Sequence, residues 1–388
     1  MSVINTTLHV LHLADATFQD KPGGSRKYAQ ETALCMLQEG HAVSFIVPQG
    51  RPELPLAEDW NGLQVIRYAA GSPIRRQLEL VSAVTALHAR QPIDLVIVHF
   101  AYTALGFHLS RIGRQLPTLR VFHGPWDLEH AEETGTSGLK NNLVHAVMHT
   151  IERTSLRRSG HIVCLSEFMA NDARSRFGIP SKGVSIIPGG VDTKRFSPGD
   201  RAAARSRFGY RDDEFVVFCV RRLARRMGIS NLVEAAAVVR EQIPNLRVII
   251  GGKGPLKEEL ETQIKTRGLE GCVELVGFIP DDDLADRYRA ADLFVLPTQA
   301  LEGFGLVILE SLGCGTPVLG TPVGAIPDVL RLFDDRMIAQ GKTAPELAVS
   351  IIKTVGSLPD RGKLSALTAR DYSWHDVTAA LLRARPDK

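Results

Sequence analysis

Short apolar runs of strand length alternate with longer helical patterns along the whole chain, and the alternation restarts after a segment rich in proline and glycine. Strands buried in a parallel sheet have continuous apolar sequences, and each needs a crossover, usually a helix, to reach the next strand. The alternation therefore predicts an α/β protein with two Rossmann-like, parallel-sheet domains. The intervening residues 186–200 (IIPGGVDTKRFSPGD) are polar and without periodicity, and we interpret them as a linker.

The pattern assigns elements to both domains. In residues 1–190, strands are predicted at 8–14, 42–47, 94–99, 119–122, 162–165 and 184–187, and helices at 25–39, 74–90, 139–158 and 166–177. In residues 191–373, strands are predicted at 215–220, 247–250, 273–276, 293–296 and 317–320. Residues 374–388 contain a final amphipathic helix, for which packing back on the N-terminal domain is one arrangement. Ser25 and Ser166 are the expected N-caps.

Composition and charge exclude several classes of protein. Hydrophobic residues make up 44% of the 388 and charged residues 23%, which is typical of a globular protein rather than a disordered one. The net charge is only +3, far from a polybasic surface, so no nucleic-acid partner is expected. No apolar run reaches the length of a membrane span. The five cysteines are odd in number and form no C-x-x-C pair, which indicates a reduced, cytoplasmic protein.

Two loops contain groups that suit a phosphate, and both follow predicted strands, where open α/β sheets bind their ligands. Gly23 and Gly24 come after the first strand, and backbone N–H groups at the helix that they open can approach an anion. An ordinary glycine turn is the alternative. The loop RRLARRMG (221–228) presents guanidinium groups that match phosphate oxygens in pairs, and a solvated basic loop is the alternative there.

The densest signal is LEGFGLVILE, residues 301–310. Glu302 lies in the loop after strand 293–296, and the following glycines bring backbone amides to a helix that begins near Leu306. Glu310 falls about one turn inside that helix, so both carboxylates are expected to face one cleft opening. Amides at a helix start suit a diphosphate, and a carboxylate deeper in suits ribose hydroxyls. The alternative is a loop acid and an unrelated helix-surface acid.

Two features of the first half remain open on position alone. His123 ends a strand at a Gly-Pro turn by the expected cleft, whereas other histidines, including His41 and His99, are interpreted as solvated or as core residues with partners. The predicted helix 139–158 is basic and rich in histidine. It is either an ordinary solvated face or a surface that contacts an anionic membrane.

Together these motifs resemble those of a known family. The chain resembles the retaining glycosyltransferases of family 4, which have the GT-B fold and use nucleotide-diphosphate sugars. The segments that carry the resemblance are PGGSRKYAQETALCMLQEGHAVSFIVP, LSEFMANDARSRFGIPSKGVSIIPGGVDTKRFSP, VRRLARRMGISNLVEAA, GGKGPLKEELE, VGFIPDDDLADRYRAADLFVLPT and LEGFGLVILESLGCGTPVLGTPVG. They cover nearly the whole chain. Glu302 and Glu310 match the family's two glutamates separated by seven residues.

The resemblance implies a deep interdomain cleft, an acceptor-binding domain in 1–190 and a donor-binding domain in 191–373. It implies retaining transfer of a hexose from a UDP- or GDP-sugar to a glycan, lipid-linked or small-molecule acceptor, in the synthesis of cell-surface polysaccharide or glycolipid. It implies no cofactor and no metal ion, and peripheral contact with the inner membrane surface stays open, as does the oligomeric state. A sugar-nucleotide epimerase or hydrolase, and a non-catalytic sugar-nucleotide-binding protein, are the alternatives.

The resemblance also implies roles for single residues. Gly24 would lie near the donor diphosphate and the acceptor, and His123 would approach the transferred sugar. Arg222 would bind the diphosphate, and Glu310 the nucleotide ribose. Sugar hydroxyls and phosphate would be held by Glu302 together with the amides of Phe304, Gly305 and Leu306.

Two positions depart from the family pattern, which commonly has Gly before the conserved arginine and Lys before the next glycine. Here these positions are Arg221 and Met227. Methionine cannot bind phosphate, so the lysine's role needs another residue. We hypothesise that Arg226 supplies this second cation. The alternatives are that Arg225 supplies it, or that Arg222 acts without a second cation.

Overall fold

The computed structural model describes residues 7–21, 23–69, 71–134 and 139–386, with no side-chain description for 133, 134, 139 and 140. The described chain divides into two compact units. Residues 7–131, 139–189 and 374–386 form the first unit, and residues 190–373 make up most of the second. Each unit is an α/β structure built on its own sheet.

The first unit contains an eight-stranded sheet. Its strands are β1 (His9–Leu13), β2 (Ala42–Pro48), β3 (Ala57–Trp60), β4 (Leu63–Tyr68), β5 (Leu95–Val98), β6 (Thr118–Phe122), β7 (His161–Cys164) and β8 (Val184–Ile186). They are ordered β3-β4-β2-β1-β5-β6-β7-β8, and every pair is parallel except β3 with β4. Every residue of the central strands β1, β5 and β6 is buried, which explains their largely apolar character, interrupted by two histidines in β1 and by Thr118 and Arg120 in β6.

Helices cover this sheet. They are α1 (Gly24–Gln38), α2 (Pro73–Arg90), α3 (Leu105–Leu109), α4 (Arg111–Gln115), α5 (Trp126–Thr134), α6 (Leu139–Arg158) and α7 (Glu167–Phe177). Ser166 caps α7 by accepting a hydrogen bond from the backbone N–H of Met169, as predicted. The expected cap at Ser25 is wrong: α1 begins at Gly24, so Ser25 lies inside the helix and Gly23 occupies the cap position without a side-chain bond.

The second unit is a five-stranded, fully parallel sheet. Its strands are β9 (Phe215–Val220), β10 (Leu246–Gly251), β11 (Val273–Gly277), β12 (Leu293–Leu296) and β13 (Val318–Gly320), in the order β11-β10-β9-β12-β13. The connecting helices are α8 (Arg201–Arg207), α9 (Ile229–Gln242), α10 (Lys257–Thr266), α11 (Asp281–Ala290), α12 (Leu306–Gly313), α13 (Ile326–Arg331), α14 (Ala344–Val355) and α15 (Arg361–Asp371). The core lies between β9, β10 and β12 and the apolar faces of α9 and α14.

The segment interpreted as a linker is packed rather than exposed. Ile186 is the last residue of β8, and Ile187, Val191 and Phe196 are buried. The backbone N–H of Val191 donates to the carbonyl of Tyr372 within the second unit. The segment looks like a linker in sequence because its apolar residues follow no helix or strand period, yet Ile187, Val191 and Phe196 are buried and only Ile186 among its large apolar residues is exposed.

The last helix, α16 (Trp374–Arg383), belongs to the first unit and packs against α1. The Trp374 ring is buried and meets the Tyr28 ring edge-on, with the centroids 5.5 Å apart. Within the described residues, no helix combines the length and apolar character needed to cross a membrane.

Candidate functional site

The loops after β9 and β12 form the core of the candidate site in the second unit. These strands are neighbours in the sheet, with Leu293 paired to Val217 and Phe294 to Phe218. Because both strands are parallel, the loops that follow them leave the sheet at the same edge. This brings the arginine-rich loop and the loop that contains Glu302 together, although 81 residues separate Arg221 from Glu302 along the chain.

Glu302 is held by two side chains at one carboxylate oxygen. The Nη2 of Arg221 donates to its Oε2 at 2.6 Å, and the hydroxyl of Thr298 donates to the same oxygen at 3.2 Å. The side chains of Arg221 and Glu302 are 11% and 10% exposed, so the pair is shielded but not sealed. A carboxylate fixed in this way is oriented before a ligand binds, which reduces the entropy lost on binding.

Arg221 is the functional candidate that sequence reasoning missed. It was noted only as a departure from the family's glycine, yet its Nη2 lies 3.0 Å from the sulfur of Met227, the residue in place of the family's lysine. The arginine therefore occupies the space beside position 227. The sequence signal was that the two departures lie six positions apart in one loop, and that one adds a cation while the other removes one.

Arg226, our hypothesised second cation, contacts the backbone of the neighbouring loop. Its Nη1 donates to the carbonyl of Leu301 at 3.3 Å, and its own carbonyl accepts from the backbone N–H of Gln299 at 2.8 Å. Leu301 has φ of +58°, an unusual conformation for a leucine, directly before Glu302. The structure thus links Arg226 to the shape of the Glu302 loop. Arg222 is exposed on the same loop.

Two glycines allow the loop backbones to meet. A Cβ on Gly252, after β10, would lie 1.8 Å from the carbonyl oxygen of Arg221, and one on Gly324 would lie 2.2 Å from that of Glu302. Both glycines also have positive φ, which side chains disfavour. These contacts fix the backbones of both members of the Arg221–Glu302 pair.

The start of α12 supplies backbone donors next to Glu302. Gly305 precedes the helix with φ of +85°, and no side chain caps the first turn. The first N–H groups of a helix have no partner within the helix and carry its positive dipole end. Phe304 is buried, and Leu306 is the first helical residue, as predicted.

Glu310 lies in the second turn of α12 and is buried. The hydroxyl of Tyr288, on α11, donates to its Oε2 at 3.0 Å. Burial, and then the negative charge of Glu310, raise the pKa of Tyr288 well above its usual value, so the phenol stays a proton donor. The two glutamates were expected to face one opening. Their hydrogen-bond partners differ, an arginine for Glu302 and a tyrosine for Glu310, and the shared opening stays a prediction.

The first unit holds the two remaining predicted residues. Gly24 begins α1, and a Cβ built there would meet nothing within 4 Å, so the helix start has room beside it. His123 follows β6, and its Nε2 lies 3.1 Å from the Nδ1 of His99. His99 is thus a core histidine with partners, as predicted, and one of those partners is the candidate site residue.

The basic helix α6 has a buried and an exposed side. Glu152, Ser155 and Leu156 are buried, whereas Leu143 and Val147 are exposed. Exposed apolar side chains occur on solvated helices as well as on helices that bind membranes, so these two residues do not distinguish the alternatives. Membrane contact stays a prediction. Within the described part of the chain, no group of three or more His, Cys, Asp or Glu side chains is arranged to hold a metal ion.

Comparison with known families accounts for both units. Residues 22–195 match the model described as Glycosyltransferase Family 4, and residues 200–365 match the model described as Glycosyl transferases group 1. A GDP-mannose-dependent alpha-(1-6)-phosphatidylinositol monomannoside mannosyltransferase of Mycolicibacterium smegmatis is 34% identical, over 81% of this chain and 80% of the relative. The chain belongs to the family 4 glycosyltransferases.

Other members of the family agree in sequence and in fold. A D-inositol 3-phosphate glycosyltransferase of Geodermatophilus obscurus is 33% identical over 93% of this chain and 84% of its own. The solved structure of sucrose-phosphate synthase from Thermosynechococcus elongatus superposes with a TM-score of 0.82 at 21% identity, covering 97% of this chain and 98% of that one. The predicted family and the GT-B class of α/β fold are therefore confirmed, and the chain is a glycosyltransferase. The roles assigned to single residues stay predictions.

Proposed function

We propose that this glycosyltransferase moves a hexosyl group from a nucleotide-diphosphate sugar to an acceptor hydroxyl with retention of anomeric configuration. The bond between the sugar C1 and the diphosphate oxygen breaks, and a bond from C1 to the acceptor oxygen forms on the same face. The acceptor's proton leaves with the diphosphate. The observation that carries the proposal is the Arg221–Glu302 pair beside the uncapped start of α12.

Electrostatics supply the chemical reason. Negative charge builds up on the departing nucleotide diphosphate, and fixed donors aimed at developing charge lower the barrier. The proposed donors are the amides of Gly305, which precedes α12, and of Leu306, which begins it, together with the guanidinium of the exposed Arg222. Each charge-assisted hydrogen bond contributes roughly 1.5–3 kcal/mol when it forms, which is one to two decades in rate if it strengthens in the transition state.

Arg221 is the proposed replacement for the lysine that the family carries at position 227. Its guanidinium reaches the Met227 sulfur and Glu302 at the same time, so a cation stands beside position 227 although methionine occupies it. Arg226 is committed to the Leu301 carbonyl and is proposed to shape the loop. This revises the hypothesis that Arg226 is the second cation.

Glu302 and Glu310 have different proposed tasks. Glu302, oriented by Arg221 and Thr298, accepts hydrogen bonds from hydroxyls of the transferred sugar. Glu310, buried and bonded to Tyr288, accepts from the nucleotide ribose. In the first unit, His123 is proposed to contact the sugar, and Gly24 is proposed to lie by the diphosphate and acceptor.

GDP-mannose is the first donor to test, because the 34% identical relative is named as GDP-mannose-dependent. UDP-hexoses remain in the proposal, since the fold alone does not select a base. The acceptor is proposed to be a glycan, a lipid-linked sugar or a small polyol such as an inositol phosphate. The two relatives named above act on a phosphatidylinositol mannoside and on D-inositol 3-phosphate, respectively. No metal ion or cofactor is proposed to take part.

Nucleotide titration tests the donor site first. We expect the purified protein to bind one of GDP, UDP and ADP far more tightly than the other two by calorimetry, and to bind NAD not at all. Turnover of the matching nucleotide sugar with an added acceptor, followed by NMR of the product's anomeric proton, then tests transfer and retention. Binding of NAD, or of no nucleotide, would overturn the proposed site. An inverted product would overturn retention alone.

The role of Arg221 is tested by restoring the family pattern. Arg221→Gly is expected to lower kcat about tenfold to a hundredfold, since one charge-assisted bond is lost. Adding Met227→Lys to that variant is expected to recover most of the activity. Arg225→Gly is the matched control, because Arg225 belongs to the same loop but is exposed and pairs with Glu259 at the surface. Equal losses for Arg221→Gly and Arg225→Gly would contradict the proposal.

A further inference from the structure

Three histidines of the first unit form a hydrogen-bonded chain. The Nδ1 of His12, on β1, lies 3.0 Å from the Nε2 of His99, and the Nδ1 of His99 lies 3.1 Å from the Nε2 of His123. Neighbouring rings lie edge to edge with nearly parallel planes, inclined by 10° and 22°, and their centroids are 5.2 Å and 5.4 Å apart. β1, β5 and β6 are adjacent in the sheet, so their carboxyl ends place one histidine each in a row. His12 and His99 are buried, and His123 is partly exposed.

When all three histidines are neutral, their hydrogen bonds permit only two arrangements of protons. A neutral imidazole carries one N–H, so His99 must donate at one nitrogen and accept at the other. In the first arrangement every proton is on Nδ1: His12 donates to His99, His99 donates to His123, and His123 presents an Nδ1–H. In the second, every proton is on Nε2, and His123 presents a bare Nδ1. The state of His123 is therefore tied to that of His12.

The inner end of the chain selects between them. The Nε2 of His12 is buried without a hydrogen-bond partner among the described residues, and its ring stacks on Phe45 at 4.9 Å. The second arrangement would leave an N–H orphaned there, whereas the first leaves a bare acceptor. Orphaned buried N–H groups are the rarer and costlier of the two.

We propose that His12 and His99 are positioning residues that hold His123 as the Nδ1–H tautomer, so that His123 meets its ligand as a neutral hydrogen-bond donor and not as a base. The two arrangements interchange only if one proton leaves at His123 and another arrives at His12. Among the described residues, none bonds the buried Nε2 of His12, so none is placed to deliver that proton. The chain therefore fixes a tautomer and does not conduct protons.

The surroundings of the three histidines keep all of them neutral. Burial lowers the pKa of His12 and of His123 to about 3, and that of His99 well below its usual value. The positive charges of Arg120, on β6, and Arg26, on α1, add to the effect at His123. Tyr28 of α1, whose ring lies 5.4 Å from that of His123, has its own pKa raised by burial and stays neutral. Among the described residues, each group that shifts the pKa of His123 shifts it downward, against an imidazolium.

In the proposed function, on which this step rests, His123 donates its Nδ1–H to an oxygen of the transferred sugar. A donor held in one orientation adds to catalysis without a change in protonation. Turnover should then show no ionisation of His123 between pH 5 and 8. The tautomer itself is a property of the protein without donor or acceptor, so it is measured independently of the proposed activity.

The deciding experiment is a long-range ¹H–¹⁵N correlation spectrum of the full chain with ¹⁵N-labelled histidine. We expect His123 to show a protonated Nδ1 and a bare Nε2, unchanged between pH 8 and pH 5. A protonated Nε2 at His123, or an imidazolium at pH 6, would overturn the proposal whatever the enzyme turns over. Failure of donor binding with the expected tautomer would instead count against the proposed function.

The variant His99→Phe removes the constraint while keeping a ring in the space. His123 is then expected to populate both tautomers, and kcat to fall about tenfold with KM little changed, the effect of one misdirected hydrogen bond. His108→Phe is the control, since His108 is another buried histidine of this unit but bonds to Ser155 and does not belong to the row of three histidines. A single unchanged tautomer of His123 in His99→Phe would show that the chain does not set it.

Discussion

Each unit contains a short arginine–glutamate pair, and the two pairs differ in access to solvent. In the first unit, Arg120 donates to Glu152 at 2.7 Å, and both side chains are 2% exposed. In the second, Arg221 donates to Glu302 at 2.6 Å, with both about a tenth exposed. The chemistry is the same, yet the first pair joins β6 to α6 inside the unit, whereas the second joins two loops at a sheet edge.

The difference separates a structural pair from a pair available to a ligand. A sealed pair contributes by satisfying two charges that the fold has already removed from water, and removing one partner leaves the other uncompensated. A pair near the surface can exchange its partner for a ligand group at little expense to the fold. The comparison therefore predicts that loss of the carboxylate affects stability in the first unit and turnover in the second.

The largest effect is expected from Glu152→Gln. Burial raises the pKa of Glu152 and the charge of Arg120 opposes that shift, so the carboxylate depends on its partner. The amide leaves the Arg120 guanidinium buried without a countercharge, at about 3–5 kcal/mol of unfolding free energy. Urea unfolding followed by tryptophan fluorescence measures it, because Trp60, Trp126 and Trp374, the three tryptophans of the chain, all lie in the first unit. A loss below about 1 kcal/mol would mean that water solvates the Arg120 guanidinium once the carboxylate is gone, as it does at an exposed ion pair.

The matching change in the second unit, Glu302→Gln, is expected to act on chemistry. Turnover should fall about a hundredfold, since a positioned acceptor is lost and Arg221 is released from its partner. Nucleotide affinity should change by less than about threefold, because the nucleotide is proposed to bind elsewhere, near Glu310. Steady-state kinetics and calorimetry on one preparation separate the two quantities. Equal, small changes in both would place Glu302 outside the site.

The sequence predicted the two sheets that carry these pairs but not the contacts that form the pairs. Both sheets were predicted because buried parallel strands leave continuous apolar runs, and Phe215–Val220 and Leu293–Leu296 match the predicted bounds. The pair β3 and β4 was not predicted. β3 (AEDW) is partly or fully exposed along its length, so it lacks the apolar run by which strands were recognised.

The site was predicted as motifs, and its contacts were not. Glu302, the α12 start and Glu310 stand within one stretch of ten residues, so spacing sufficed to select them. The Arg221–Glu302 contact depends on β9 and β12 being neighbours in the sheet, and the order of strands is not written in local pattern. The histidine chain likewise joins three strands that are far apart in sequence, which is why His99 was interpreted only as a solvated residue or as a core residue with partners.

Lowering the pH tests whether the hydrogen-bonded histidines stay neutral in the folded protein, in contrast to the charged arginine–glutamate pairs. Burial lowers the pKa of His12 from 6.5 to about 3, so between these values the unfolded chain binds a proton that the folded chain does not. Stability is then complete above pH 6.5 and declines as the pH falls below it, by about 2 kcal/mol for this one group at pH 5. The variant His12→Phe should lose correspondingly less on going from pH 7 to pH 5, by the same urea and fluorescence measurement. Parallel losses in the two proteins would show that His12 is protonated in the folded state.

The smallest effect is expected where the second unit most resembles the first, at the buried Glu310. Glu310→Gln keeps the shape and removes a charge-assisted acceptor, so nucleotide affinity should fall about tenfold while kcat changes little. The control Tyr288→Phe removes only the hydroxyl that orients Glu310, and affinity should fall about threefold. Both are measured by calorimetry with the nucleotide that binds. If Tyr288→Phe weakens binding as much as Glu310→Gln, the tyrosine rather than the carboxylate would be the group that recognises the ribose, and the buried pair would act as a relay of hydrogen bonds from α11 to the ligand.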